Sequence, residues 1–106
     1  MPRVFLPGDQ VSDDLSYALE VFSLPARVVV LVELMRDGPL LRADLIERLG
    51  MESVMVGRTL GALEGLGIVD VNLPAGRRRG RSVTYSVDAE AYTKAATTLA
   101  RFLALE

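Results

Sequence analysis

Four arginines close together in one segment are the residues of this sequence that point most directly to a chemistry. They are Arg77, Arg78, Arg79 and Arg81, and they lie within five positions of one another. Guanidinium groups so close repel one another, but each binds a phosphate well, because neutralising a phosphate releases condensed counterions. The cluster therefore predicts contact with nucleic acid. The alternative is a solvated loop that has no partner.

The distribution of charge along the chain supports the first interpretation. The formal net charge is −2, but residues 53–87 carry +3, whereas residues 1–52 carry −4 and residues 88–106 carry −1. A nucleic-acid footprint is therefore expected in the middle segment, where the positive charge is concentrated.

The residue types that are absent exclude most other chemistries. The chain has no histidine and no cysteine, which removes the usual zinc ligands, the usual nucleophile pairs and the commonest general base. We therefore expect no enzymatic activity, no cofactor and no bound metal. The longest apolar run, residues 28–32, is far too short to cross a bilayer, and we expect a cytoplasmic protein with no membrane partner.

Hydrophobic periodicity predicts helices before residue 67. Residues 1–11 contain two prolines and a glycine and are predicted to form an extended arm. Ser12 is the predicted N-cap of a first helix, and Ser23 of a second, which is apolar on all sides and is therefore expected to be the buried central helix. Residues 40–41 fit a short edge strand. Residues 42–49 fit a third helix, which a tight turn at residues 50–52 separates from the next.

A fourth helix is predicted over residues 53–66, with Ser53 as its N-cap and Gly67 as its end. Residues 68–73 and 82–87 then alternate between apolar and polar, which predicts a two-stranded β-hairpin with the arginines at its tip. Asp88 is the predicted N-cap of a final helix. The fold class is thus α+β and mostly helical: a winged helix-turn-helix with a hairpin wing and flanking terminal helices, one domain over residues 12–106 whose DNA-binding core spans about 40–87.

A helix of this kind fits the major groove of B-DNA, while the wing at residues 76–81 reaches phosphates or the minor groove. On the face of the fourth helix opposite its core positions, the candidate DNA-contacting residues are Ser53, Val54, Gly57 and Arg58. Thr59 lies nearer the core side and fits packing and DNA contact equally well. Because so few polar residues are available, DNA shape is expected to contribute to specificity.

Three glycines, Gly57, Gly61 and Gly65, form a stripe on the same helix. Each costs roughly 1 kcal/mol of helix propensity relative to alanine. Either the stripe permits close approach of DNA or of another helix, or a well-packed helix tolerates the loss.

Three segments of the chain resemble ArsR-like transcriptional regulators. Residues 25–31 resemble their helix-opening Pro-x-Arg-x-x-Ile-Leu pattern, residues 43–51 the first motif helix and turn, and residues 56–69 the recognition helix that ends in Leu-x-x-x-Gly-Leu-Val. MarR-like and PadR-like relatives share much of this pattern. The resemblance implies double-stranded DNA as partner, a homodimer and, often, repression. Metal-sensing members use cysteine and histidine ligands, which this chain lacks.

In the family that the chain resembles, the first and last helices pair with those of a second subunit. The candidate interface residues are apolar and lie on these two helices: Leu15, Leu19, Phe22, Leu99, Phe102 and Leu103. The same residues could instead cover the domain's own core. A dimer is favoured because so small a domain has little core left to cover.

A different class of function also fits the sequence. The glycine stripe and the overall acidity are compatible with a winged-helix module that binds another protein and has little specific affinity for DNA. This alternative predicts a partner that stays bound at high salt, whereas a DNA complex weakens steeply as salt rises.

Overall fold

The computed structural model describes residues 12–104, so the predicted extended arm lies outside the described residues. Within them, helices and strands follow in this order: α1 (Asp13–Val21), α2 (Pro25–Asp37), β1 (Leu40–Leu41), α3 (Arg42–Leu49), α4 (Ser53–Gly65), β2 (Val69–Val71), β3 (Thr84–Val87) and α5 (Ala89–Leu103). A short 3₁₀ helix, Ala75–Arg77, lies between β2 and β3. The predicted mostly helical α+β class and the winged helix-turn-helix arrangement are confirmed.

The outer helices begin at the residues that the sequence predicts. The Ser12 hydroxyl accepts a hydrogen bond from the Leu15 amide at 3.1 Å, and the Asp88 carboxylate accepts one from the Ala91 amide at 3.1 Å. Each of these side chains satisfies a backbone donor that the first turn of a helix leaves free.

The caps predicted for the two inner helices are wrong. Leu24 is the N-cap of α2, and the Ser23 hydroxyl instead donates to the Glu20 carbonyl at 2.8 Å. Glu52 is the N-cap of α4, which places Ser53 in the first turn of the helix. Neither N-cap side chain bonds to its helix, and α2 begins at Pro25, whose ring suits the first turn of a helix.

The composition of α2 predicted a helix buried on all sides. The helix is central, but the prediction of complete burial is wrong. Helix α2 packs against α3, α4 and β3 along one side, where Val30, Leu31 and Leu34 are buried. On its other side three large apolar residues remain exposed: Val29, Val32 and Met35. Within residues 12–104, no element covers this other side of the helix. The main core is formed by Val21, Val30, Leu31, Leu34, Leu40, Leu45, Val56, Leu60, Leu63, Ile68 and Val69.

A three-stranded antiparallel sheet, in the order β1-β3-β2, connects the helical motif to the wing. Leu40 and Val71 both lie opposite Tyr85 of β3, from the two sides. The predicted edge strand at residues 40–41 is thus confirmed, and the predicted hairpin gains it as a third strand. Because β1 leads directly into α3, the base of the wing is held against the start of the helix-turn-helix motif.

The passage from α4 into the wing is fixed by a glycine turn. Gly67 has φ +76°, a left-handed conformation that residues with a Cβ rarely adopt. Its amide donates to the Glu64 carbonyl at 2.9 Å, and the Ile68 amide donates to the Leu63 carbonyl at 3.2 Å. These two bonds form a Schellman motif, which ends α4 and starts β2 in a fixed direction.

Candidate nucleic-acid interface

The turn between α3 and α4 sets the angle of the helix-turn-helix motif. Gly50 has φ +63° and its amide donates to the Ile46 carbonyl at 3.0 Å, which ends α3. At the other end of α3, the Asp44 carboxylate accepts a hydrogen bond from the Leu41 amide at 2.9 Å. Both ends of α3 are therefore held by local bonds, and α4 follows after a short connection.

The two faces of α4 differ as the spacing of its residues predicts. Val56, Leu60 and Leu63 are buried in the core. Thr59 is also buried, at 5% exposure, so this residue packs inside the domain. The candidate contact residues Ser53, Val54 and Arg58 are exposed on the opposite face, Val54 at 58%, and Gly57 is partly exposed between them.

A guanidinium group from the preceding helix lies across this exposed face. Nη2 of Arg42 donates to the Ser53 carbonyl at 2.7 Å and to the Ser53 hydroxyl at 3.2 Å. A Cβ at Gly57 would stand 2.6–2.7 Å from the guanidinium atoms. The residues predicted from the sequence to contact DNA did not include Arg42. The contact depends on the angle between two helices, and neither residue's own neighbours in the sequence indicate it.

The glycine stripe of α4 does not have a single explanation. Only Gly57 has a close neighbour, Arg42, whereas a Cβ at Gly61 or Gly65 would meet nothing within 4 Å. The observed position of the Arg42 guanidinium therefore depends on a glycine at position 57, and no contact within the described domain depends on one at positions 61 and 65.

The hairpin of the wing is braced by an asparagine side chain. The Asn72 amide oxygen accepts a hydrogen bond from the Thr84 amide at 2.9 Å, and its Nδ2 donates to the Ser82 carbonyl at 3.2 Å. The Asn72 backbone amide also donates to the Thr84 carbonyl at 3.2 Å. These bonds hold the two strands together beyond the last paired residue of β2, so the arginine segment begins from a fixed base.

The four wing arginines are not equivalent. Arg77, Arg79 and Arg81 are exposed, and no carboxylate of residues 12–104 forms an ion pair with them. Arg78 points back to the protein: its Nη1 and Nη2 donate to the two carboxylate oxygens of Glu64 at 3.1 and 2.6 Å, and its Nε donates to the Leu73 carbonyl at 3.0 Å. This two-pronged pair connects the wing to the last turn of α4.

The ion pair changes the acidity of both partners. The hydrogen bonds from Arg78 hold the pKa of Glu64 below its ordinary value of 4.5, although partial burial acts in the opposite direction. The same bonds raise the pKa of Arg78. Because the pKa of Glu64 is lower in the folded than in the unfolded state, the pair stabilises the fold at every pH above the ordinary pKa of this carboxyl group. This stabilisation is lost as pH falls through the lowered pKa.

We expect Glu64→Gln to loosen the wing at neutral pH. Ion pairs at the surface contribute little to stability, so urea unfolding should shift only slightly, while amide hydrogen exchange in residues 72–84 should become faster. Both differences from the unmodified chain should disappear below the lowered pKa of Glu64. Glu47→Gln, at an exposed position of α3, is the matched control. A wing whose exchange is the same in both variants would contradict a bracing role for the pair.

Comparison with known proteins supports this arrangement. No protein-family model matches the chain. The HTH-type transcriptional regulator NmtR of Mycobacterium tuberculosis is 37% identical over 78 residues, which cover 74% of this chain and 60% of that regulator's length. An ArsR-like transcriptional regulator from Rhodococcus sp. RHA1 has a TM-score of 0.66 at 26% identity, over 86% of this chain and 80% of that one. The chain is similar to these regulators and has the winged helix-turn-helix fold of the ArsR-like structure.

The fold also extends to a more distant structure. The transcriptional repressor BigR from Xylella fastidiosa has a TM-score of 0.64 at 22% identity, over 90% of this chain and 89% of that one. At this identity the likeness concerns the fold alone. The relatives named here are transcriptional regulators and not enzymes, as the residue types of the chain predicted.

The outer helices of this ArsR-like fold form a partly apolar surface. Helices α1 and α5 pack against each other, with the rings of Phe22 and Tyr92 edge to face at 5.8 Å. An apolar groove of about 240 Å³ lies here, lined by Phe22, Tyr92, Ala96, Leu99, Ala100 and Leu103. Three of the six residues predicted for a dimer interface are exposed, namely Leu19, Phe102 and Leu103, while Phe22 and Leu99 are half-buried.

Leu15, the sixth predicted interface residue, is 4% exposed. It is therefore buried within the subunit and supports the surface from below. This position fits the alternative that part of the apolar stripe covers the domain's own core.

The ArsR-like fold connects these outer helices directly to α4. The Tyr17 hydroxyl donates to the Leu66 carbonyl at 2.7 Å, which joins α1 to the residue that caps α4. Burial and, to a smaller extent, the Asp88 charge raise the pKa of Tyr17, so the hydroxyl keeps the proton that it donates.

Two further findings concern residues 12–104 only. No group of three or more acidic, histidine or cysteine residues is placed so that it could hold a metal ion. No helix in this part of the chain has both the length and the apolar character that crossing a membrane requires. The absence of a bound metal stays a prediction.

Proposed function

We propose that this chain is a double-stranded DNA-binding transcriptional regulator that works as a homodimeric repressor. Helix α4 would occupy the major groove, and the wing at residues 76–81 would contact phosphates or the minor groove. The observation that carries the proposal is the fixed position of the wing: Arg78 binds Glu64 of α4 and leaves Arg77, Arg79 and Arg81 exposed beside it. A DNA partner implies a cytoplasmic location.

The exposed face of α4 is better suited to a few van der Waals and polar contacts with base edges than to extensive hydrogen bonding. Val54 is placed to meet a thymine methyl group, and Arg58 and Ser53 supply polar contacts to base edges or to the backbone. Gly61 and Gly65 present backbone without side chains, which would let this part of the helix approach the groove floor closely. Sequence preference would therefore depend strongly on groove width and on DNA deformability.

The dimer would form through the groove between α1 and α5. An isologous interface buries the same surface from each of the two subunits. The apolar residues that would supply this surface are Leu19, Phe22, Leu99, Phe102 and Leu103. Such a dimer presents two copies of α4 to successive turns of the major groove, so the operator should be palindromic.

The test is selection of duplexes from a random pool by the full chain, followed by affinity measurements. We expect enrichment of a palindromic sequence, bound about 10³-fold or more tightly than a scrambled duplex at about 200 mM salt. If no sequence is enriched and the residual binding disappears with salt, DNA recognition is contradicted. A winged-helix module for a protein partner would then be the better explanation.

A further inference from the structure

We propose that Arg42, a residue of α3, binds a DNA phosphate with its guanidinium group. This group lies over the backbone of α4, where the glycine at position 57 leaves room for it. The inference rests on the proposed DNA-binding function and adds to it a contact outside both α4 and the wing. The ligand is an anionic phosphate oxygen, bound near Ser53 at the N-terminal end of α4.

The position of the guanidinium is the first part of the argument. Its Nη1, Cζ and Nη2 atoms all lie 2.6–2.7 Å from the place where a Cβ at Gly57 would stand. The group therefore lies over the bare backbone of α4. Its Nη2 is fixed by the Ser53 carbonyl and hydroxyl. The side chain belongs to α3, but its charge is presented on the exposed face of α4.

The unused donors of Arg42 are the second part. A guanidinium has five N–H donors in a rigid fork. Within residues 12–104, the hydrogen bonds of this side chain run only from Nη2 to Ser53, and no carboxylate forms an ion pair with it. Nε and Nη1 are therefore available to an external acceptor, and no carboxylate of the described residues neutralises the positive charge by an ion pair.

The electrostatic setting selects an anion as that acceptor. Ser53 is the first residue of α4, so Arg42 lies where the N-terminal end of the helix dipole adds positive potential. A guanidinium and a helix N-terminus together favour a phosphate over a neutral base edge. Anchoring by Ser53 also means that little side-chain entropy remains to be lost on binding.

This role explains why glycine occupies position 57 of a helix. Glycine is unfavourable in a helix interior, and positions 61 and 65 offer no contact that would require it. At position 57 any larger residue would occupy the place where the guanidinium lies. The displaced atoms are the far end of a flexible side chain, so Gly57→Ala moves Arg42 without disturbing the fold.

The experiment is a double-mutant cycle on the full chain with the selected duplex, using Arg42→Ala, Gly57→Ala and both changes together. We expect each single change to lower affinity about tenfold and to reduce the slope of log K against log[salt] by about 0.9 per subunit. The double variant should lose no more than either single one. Gly57→Ala should keep or raise the melting temperature, because alanine is the better helix former. Arg36→Ala, which removes one exposed charge from the last turn of α2, is the matched control.

Several results would overturn the inference. If Arg42→Ala or Gly57→Ala binds the duplex with wild-type affinity, Arg42 does not contact DNA. Losses that multiply in the double variant indicate that a Cβ at position 57 clashes with DNA independently of Arg42. A changed sequence preference with an unchanged salt slope indicates a base contact instead of a phosphate contact. If the unmodified chain selects no duplex, the proposed DNA-binding function itself fails. If it selects a duplex but the variants bind as tightly, only the Arg42 contact fails, so the two failures are distinguishable.

Discussion

Replacing Arg77, Arg79 and Arg81 together with glutamine should lower the affinity for the selected duplex by about a thousandfold per subunit at about 50 mM salt. The loss should shrink to about 25-fold at about 200 mM salt. Each phosphate contact contributes about 0.9 to the slope of log K against log[salt], so the slope should fall by nearly three per subunit. Fluorescence anisotropy titrations over this range of salt measure both quantities.

This triple variant isolates the three exposed arginines, because Arg78 and its bond to Glu64 are left in place. The fold should therefore be unaffected, and the melting temperature should stay within about a degree or two of the unmodified chain. Arg36→Gln with Lys94→Gln, which removes two exposed charges outside the wing, is the control. If its loss per charge removed equals that of the wing variant, the wing has no specific role and only net charge matters.

Phe102→Glu together with Leu103→Glu should convert the proposed dimer to a monomer. Both residues are exposed in the subunit, and dimer formation would bury two unpaired carboxylates from each subunit in an apolar interface, at a cost of several kcal/mol. Sedimentation velocity should show a single monomeric species at micromolar concentration. Affinity for a two-half-site duplex should fall by 10²–10⁴-fold, since the second half-site no longer benefits from linkage to the first.

The control for the dimer variant uses an apolar surface elsewhere on the molecule. Val29→Glu with Met35→Glu changes two residues of α2 that are about as exposed as Phe102, at 43% and 40% against 38%. We expect this control to remain dimeric and to bind the duplex. A monomer in the control and a dimer in the α5 variant would assign the interface to α2.

Much of the fold could be predicted from the sequence because its signals are local. Ser12 and Asp88 occupy N-cap positions that their side chains satisfy, and Gly67 has the left-handed conformation that ends a helix. The alternation in residues 68–73 and 82–87 places β2 and β3 correctly. The wrong caps at Ser23 and Ser53 share one cause: a serine near a helix start is a common signal, but Leu24 and Glu52 occupy these N-cap positions without a side-chain bond to the helix.

The details of the candidate site depend on tertiary geometry. Arg78 and Glu64 are 14 positions apart, and Arg42 and Gly57 are 15 apart, so no helical or strand spacing brings either pair together. Composition identified the arginine cluster without showing that one member binds the protein. In α2, apolar residues all round indicated burial, but no element within residues 12–104 covers the other side of this helix.

In the proposed dimer, the hydrogen bond between Tyr17 and Leu66 would make the spacing of operator half-sites depend on the outer helices. Because α1 holds the end of α4, in a dimer formed through α1 and α5 the distance between the two copies of α4 follows from how the outer helices pack. Mutations that adapt the protein to half-sites moved by one base pair should therefore arise in α1 and α5. Changes in α4 would alter which bases are preferred within each half-site and leave the spacing as it is.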